Sequence, residues 1–143
     1  MAETQQPAAT PVAAGSAGGR TRVIVVGYSL KPEGRAALAR GLDEARARGA
    51  EVVVVHTVVD GEVADLRAEL DASGVPYEVK EAADALDPAE DLITTAEARA
   101  AEFIVIGLRK RSPVGKLLLG SNSQRILLEA TCPVLAVKPG GAA

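Results

Sequence analysis

The chain has 143 residues, of which 48% are hydrophobic and 2% aromatic, and a formal net charge of −3. That length suits one domain with a sizeable core, the hydrophobic share excludes a disordered chain, and the acidic balance excludes a general affinity for nucleic acid. Cys132 is the single cysteine, which excludes an internal disulfide framework and a thiolate metal cluster.

Residues 1 to 20 are rich in Ala, Pro, Gly, Thr and Gln and carry no apolar period, so they read as a disordered tail. They lack a basic stretch followed by an apolar one, and no run in the chain is apolar enough to span a bilayer. The expectation is a cytoplasmic protein with no membrane partner. The domain itself covers 21–139.

Thr21 to Val26 predicts the first strand, with Gly27-Tyr28-Ser29 as its exit. Pro32 suits the first turn of a helix reaching about Arg48, in which Leu38, Leu42 and Ala45 recur at helical spacing and Gly49 is the stop. Val52 to Val55 is a second apolar run, ending at His56-Thr57. Glu62 to Leu70 reads as a helix with Val63, Leu66 and Leu70 on one stripe, broken at Ser73-Gly74. Val75 to Lys80 alternates, as an edge strand does. Asp87 is placed as an N-cap and Pro88 as the first residue of the next helix, whose stripe is Ala89, Leu92, Ile93, Ala96 and Ala100.

Phe103 to Ile106 is a strand buried on both faces, stopping at Gly107. A basic loop follows, with Arg109, Lys110, Arg111 and Lys116. Gly120-Ser121-Asn122-Ser123 opens a helix running from Gln124 to Ala130, and Pro133 to Val137 is the last strand. All-apolar strands alternating with amphipathic helices imply an α/β fold: a five-stranded parallel sheet, order 3-2-1-4-5, with helices on both faces as a three-layer flavodoxin- or Rossmann-like sandwich. That order puts a switch point between the first and fourth strands, the place where such sheets take ligands.

Gly107-x2-Lys110-x9-Gly120-Ser121 is the constellation that carries chemistry. A helix start offers unpaired N–H groups and the positive end of its dipole, and a basic loop facing it makes an anion site fit for phosphates. On the bland alternative, Gly120-Ser121 is a loop end and the cations are solvated. Val114-Gly115-Lys116 is not a P-loop: Lys110 stands where the first glycine belongs, and Leu117 where Ser or Thr belongs. Lys138-Pro139 suggests a phosphoacceptor receiver, but Gly27-Tyr28-Ser29 and Lys80-Glu81 replace its carboxylates. His56 reads as a packed or hydrogen-bonded residue in preference to a general base. Cys132 reads as a buried small residue, and the pairs Glu62/Asp65 and Glu90/Asp91 as solvated helix faces.

The segment from Gly107 through Gly120-Ser121 to Cys132-Pro133-Val134-Leu135 resembles the C-terminal signature of the universal stress protein (UspA-like) family, whose nucleotide-binding members carry Gly-x2-Gly-x9-Gly-Ser/Thr. Ser112 to Leu119 is similar to that family's loop. Val26-Gly27-Tyr28-Ser29 and Pro32 to Leu38 agree at the front. The resemblance spans about residues 21 to 139. It implies a homodimer, here paired through the 133–137 edge strand, that in some members binds ATP or another adenine nucleotide, with or without Mg²⁺. Carried onto this chain, Gly27, Ser29 and Thr57 flank the nucleoside. Gly107, Leu108, Arg109 and Lys110 hold the phosphates together with Gly120, Ser121, Asn122 and Ser123. Lys110 departs from the motif's second glycine, and Ser29 from the acidic residue that meets the ribose. Three readings follow: a nucleotide-binding stress-response module without efficient catalysis, a nucleotide-free regulatory dimer, and a weak ATPase.

Overall fold

A computed structural model describes residues 21–83, 87–110 and 117–139; the expected N-terminal tail lies outside the described residues. The strands β1 (Val23–Tyr28), β2 (Glu51–His56), β3 (Tyr77–Glu81) and β4 (Phe103–Gly107) are followed by the short pair β5 (Arg109–Lys110) and β6 (Leu117–Leu118), and then by β7 (Val134–Val137). Helices α1 (Pro32–Arg48), α2 (Asp60–Ser73), α3 (Pro88–Arg99) and α4 (Ser121–Glu129) alternate with them. The main sheet has the order β3-β2-β1-β4-β7, and all of its pairings are parallel. This is the expected order, with β7 as the fifth strand. β5 and β6 form a separate antiparallel ribbon in what the sequence suggested was plain loop.

The apolar runs divide by the two-residue period of a strand. Ile24, Val26, Val52, Val54 and Val105 face α1 and α2, where Leu38, Leu42, Leu66 and Leu70 meet them. Val25, Val53, Val55, Ile104 and Ile106 face the other way, onto Leu92 and Ala96 of α3 and Ile126 of α4. Each fully buried Leu contributes roughly 1.5–3 kcal/mol over an exposed one. Valine on both faces builds a core poor in large rings, with Tyr28 as its buried tyrosine. At Gly41 a Cβ would stand 2.5 Å from Val26 Cγ2, so α1 lies unusually close on β1.

Three sequence expectations are corrected by packing. Ala100 is not on the stripe of α3; it is the exposed C-cap in the left-handed region, at φ 50°. Asp87 stands at the N-cap position of α3 without a side-chain cap bond, because its carboxylate is taken by Arg125. Asp91 is not a solvated residue: it accepts the Ala83 N–H at 2.6 Å and lies 3.8 Å from Lys80 Nζ, with its side chain 14% exposed. No described helix is long and apolar enough to cross a membrane.

Candidate functional site

The first and fourth strands end side by side, since β1 and β4 pair in parallel with Val26 opposite Val105. Beyond their carboxyl ends opens a cleft of about 200 Å³. Its floor is apolar, from Val55, Leu92, Ile106 and Ile126. Its rim is polar, and two helix starts supply most of it.

One wall belongs to β1 and α1. Gly27, Tyr28 and Ser29 leave the strand, and the chain turns at once into α1. Ser29 sits directly on Gly34: a Cβ at Gly34 would collide with the Ser29 main chain and hydroxyl. The Ser29 hydroxyl accepts the Lys31 N–H at 3.3 Å. Gly107, at the end of β4, lies against the same turn. A Cβ there would fall within bonding distance of the Glu33 carbonyl. The sequence suggested that this glycine serves the turn and a ligand; the structure places it on the cleft and adds a packing reason. Leu108 does not line the cleft, and its N–H donates to Val137 O at 2.9 Å, tying the end of β4 to the end of β7.

The other wall is the start of α4. Gly120 is the N-cap and has no side chain to cap the helix, so the first N–H groups of Ser121, Asn122 and Ser123 have no partner within α4. All four residues line the cleft. Among the described residues, a Cβ at Gly120 would meet only Arg109 Nη2, at 3.9 Å, and its φ of −73° suits any residue. The backbone therefore makes no demand for glycine at this position.

Arg109 reaches across between the walls. Its Nε is 3.8 Å from Glu33 Oε2, while Nη2 points at Gly120. Thr57, exposed after β2, closes the third side. Gly27, Ser29, Thr57, Gly107 and Arg109 thus line one cleft with the 120–123 turn. The side chain of Lys110 and the loop residues Arg111 and Lys116 lie outside the described residues. Glu33, Gly34 and Leu92 also line the cleft and were not singled out from the sequence. The one available signal for Gly34 was its place two residues after Pro32, in the first turn of a helix that must approach the sheet.

α4 is nine residues long and buries only Ile126. It is held by Arg125, whose Nη1 bonds both Asp87 carboxylate oxygens at 2.9 Å and whose Nη2 bonds Glu90. Glu90, exposed as expected, is also a partner of α4. Asp87 and Glu129 hold the Arg125 guanidinium still more firmly protonated than usual. His56 is buried, and its Nδ1 accepts the Val58 N–H at 3.2 Å, in keeping with a structural role. Cys132 is half-buried, and burial raises its thiol above the usual range. Tyr28 is raised likewise, chiefly by burial.

A model of the "Universal stress protein family" matches residues 20–87 and 62–138. A universal stress protein of Mycolicibacterium smegmatis is 46% identical over 130 residues, covering 83% of this chain and 99% of the relative. The chain belongs to the universal stress protein family. Among solved structures, a universal stress protein from Archaeoglobus fulgidus superposes with a TM-score of 0.66 at 28% identity, over 83% of this chain and 99% of that one. Two more share the fold. An A. fulgidus universal stress protein in complex with dAMP gives a TM-score of 0.62 at 23% identity, over 83% and 98% of the two chains. A universal stress protein in complex with cAMP gives 0.66 at 22%, over 85% and 100%. The family membership and the strand order agree with what the residues implied.

Proposed function

We propose that the cleft binds an adenine nucleotide, and that the protein is a cytoplasmic stress-response module whose occupancy biases one assembly or partner-binding state. The observation that carries this reading is the uncapped start of α4. Three N–H groups without helical partners, two serine hydroxyls and the Arg109 guanidinium converge on one rim, above an apolar floor that suits a base. Family members crystallised with dAMP and with cAMP support the choice of adenine nucleotide. ATP is the fullest ligand for such a rim, with or without Mg²⁺. The side chain to test against it is Lys110, which replaces the motif's second glycine.

The reading is tested by calorimetric titration with ATP, ADP and AMP. Saturable binding is expected in the wild type and its loss in Gly120→Val, where the side chain projects into the rim. Silence in the wild type would leave the nucleotide-free regulator standing. Phosphate release under excess ATP and Mg²⁺ tests the weak ATPase; turnover close to buffer controls is expected, since His56, the sole histidine, is engaged by Val58.

A homodimer through β7 belongs to the same proposal. The two edges of the sheet differ. β3 carries Glu78, Lys80 and Glu81, charges that deter pairing, whereas β7 reads Val-Leu-Ala-Val, half-exposed and uncharged. Antiparallel pairing with a second β7 would cover it. Light scattering at micromolar concentration should give twice the chain mass; a monomer would contradict this part.

A further inference from the structure

Among the described side chains that line the cleft, Glu33 is the one carboxylate and Arg109 the one cation. They face each other at 3.8 Å, with Glu33 18% and Arg109 47% exposed. The main chain of Glu33 is held at the edge of the cleft. Its carbonyl is pressed against Gly107, and it sits in the first turn of α1, whose dipole favours a negative charge there. The guanidinium therefore lies as a bar across the mouth, its Nε toward the Glu33 carboxylate and its Nη2 toward Gly120.

Resting on the nucleotide reading above, we infer that Glu33 sets the preference of the site among nucleotides of different phosphate count, by holding Arg109 and repelling added phosphate charge. A phosphate arriving at the start of α4 must share Arg109 with the carboxylate or take it away. A monophosphate brings little charge near Glu33. Each further phosphate has to settle within the same small mouth, close to a fixed negative charge in partly screened surroundings. The discrimination works by an unfavourable element placed against the more highly charged ligand, not by a new contact to the less charged one.

The experiment is a calorimetric comparison of adenosine, AMP and ATP on the wild-type protein and on Glu33→Gln, with ligand-free melting temperatures recorded for both. The ratio of ATP to AMP affinity is expected to rise about two- to fivefold in Glu33→Gln, as for the loss of a partly exposed charge interaction. Adenosine affinity and the melting temperature should stay nearly constant. Raising the salt concentration should shrink the difference between the two proteins. Glu33→Asp, which draws the carboxylate back by one methylene, should move the ratio in the same direction by less, and serves if Glu33→Gln does not fold. An unchanged ratio overturns the inference and leaves nucleotide binding intact. So does an equal loss for adenosine, AMP and ATP, which would make Glu33 a partner of the sugar. Absence of binding by all three compounds to the wild type overturns the nucleotide reading, and this inference with it.

Discussion

On its α1 side the cleft is closed by main chain packed on main chain. Ser29 rides on Gly34, and the Glu33 carbonyl presses on Gly107, so that neither glycine has room for a methyl group. On its α4 side the wall is a nine-residue helix with one buried residue, tied on by a single arginine. Glycine occurs in both walls and means different things in each. Gly107 is demanded by the fold. Gly120 has space for a Cβ and an ordinary backbone, so any demand for glycine there must come from what approaches the rim.

The sharpest test of that contrast is Gly107→Ala. Its Cβ meets backbone that cannot rotate away, and we expect a loss of about 3 kcal/mol or more in a urea unfolding experiment. A loss below about 0.5 kcal/mol, the range of an ordinary surface change, would erase the distinction between the walls. Arg125→Ala comes next. It removes the partner of Asp87 and Glu90 and loosens α4, and the midpoint of urea unfolding should fall, by less than in Gly107→Ala because the arginine is a third exposed. Nucleotide affinity should fall with it, and Arg125→Lys should restore only part, since one ammonium cannot serve Asp87 and Glu90 as the separate Nη1 and Nη2 groups do. Gly120→Ala should then change stability by less than about 0.5 kcal/mol while weakening the nucleotide. Equal effects on stability at Gly107 and Gly120 would mean that both walls are built alike.

Each layer also carries a titrating group that burial shifts, and Tyr28 and Cys132 test the packing from behind. Tyr28 packs with the α1 and α2 layer, and Cys132 against the α3 and α4 layer. Burial raises both above their ordinary values of 10.0 and 9.0. A raised value in the folded state means that the folded protein holds its proton longer than the unfolded chain does. Stability is therefore intact below pH 9 and falls as pH climbs, first on account of Cys132 and above pH 10 on account of Tyr28. Cys132→Ala should delay the onset of alkaline unfolding, and Tyr28→Phe should blunt its later part. A last test lies outside the cleft. Ala100→Gly relieves a left-handed alanine, and a gain of up to about 1 kcal/mol is expected, offset by the greater freedom of glycine in the unfolded chain.

The sheet was legible because its signal is local and redundant. Val52 to Val55 and Phe103 to Ile106 are apolar throughout, which leaves little choice but a buried parallel strand. Gly120-Ser121 announced a helix start for the same reason, and the cleft follows from the strand order. Glu33, Asp91 and Arg125 were misread or passed over because their partners are distant in the chain. Arg125 and Asp87 stand 38 positions apart, and nothing near either one predicts the other. The β5–β6 ribbon escaped notice because two residues per strand carry no period. Gly107 was found, but its crowding by Glu33 was not, since that comes from a helix that begins far upstream.

The shortage of rings in the core has a practical consequence. The chain contains no tryptophan and two tyrosines. Tyr77 stands on the far strand of the sheet with its hydroxyl donated to Asp71, while Tyr28 borders the cleft itself. The protein thus holds a built-in optical reporter at the place of interest. The tyrosine band of the near-ultraviolet circular dichroism of the unlabelled protein should change when the cleft fills, and Tyr28→Phe should remove that part of the change, leaving the signal of the bound base.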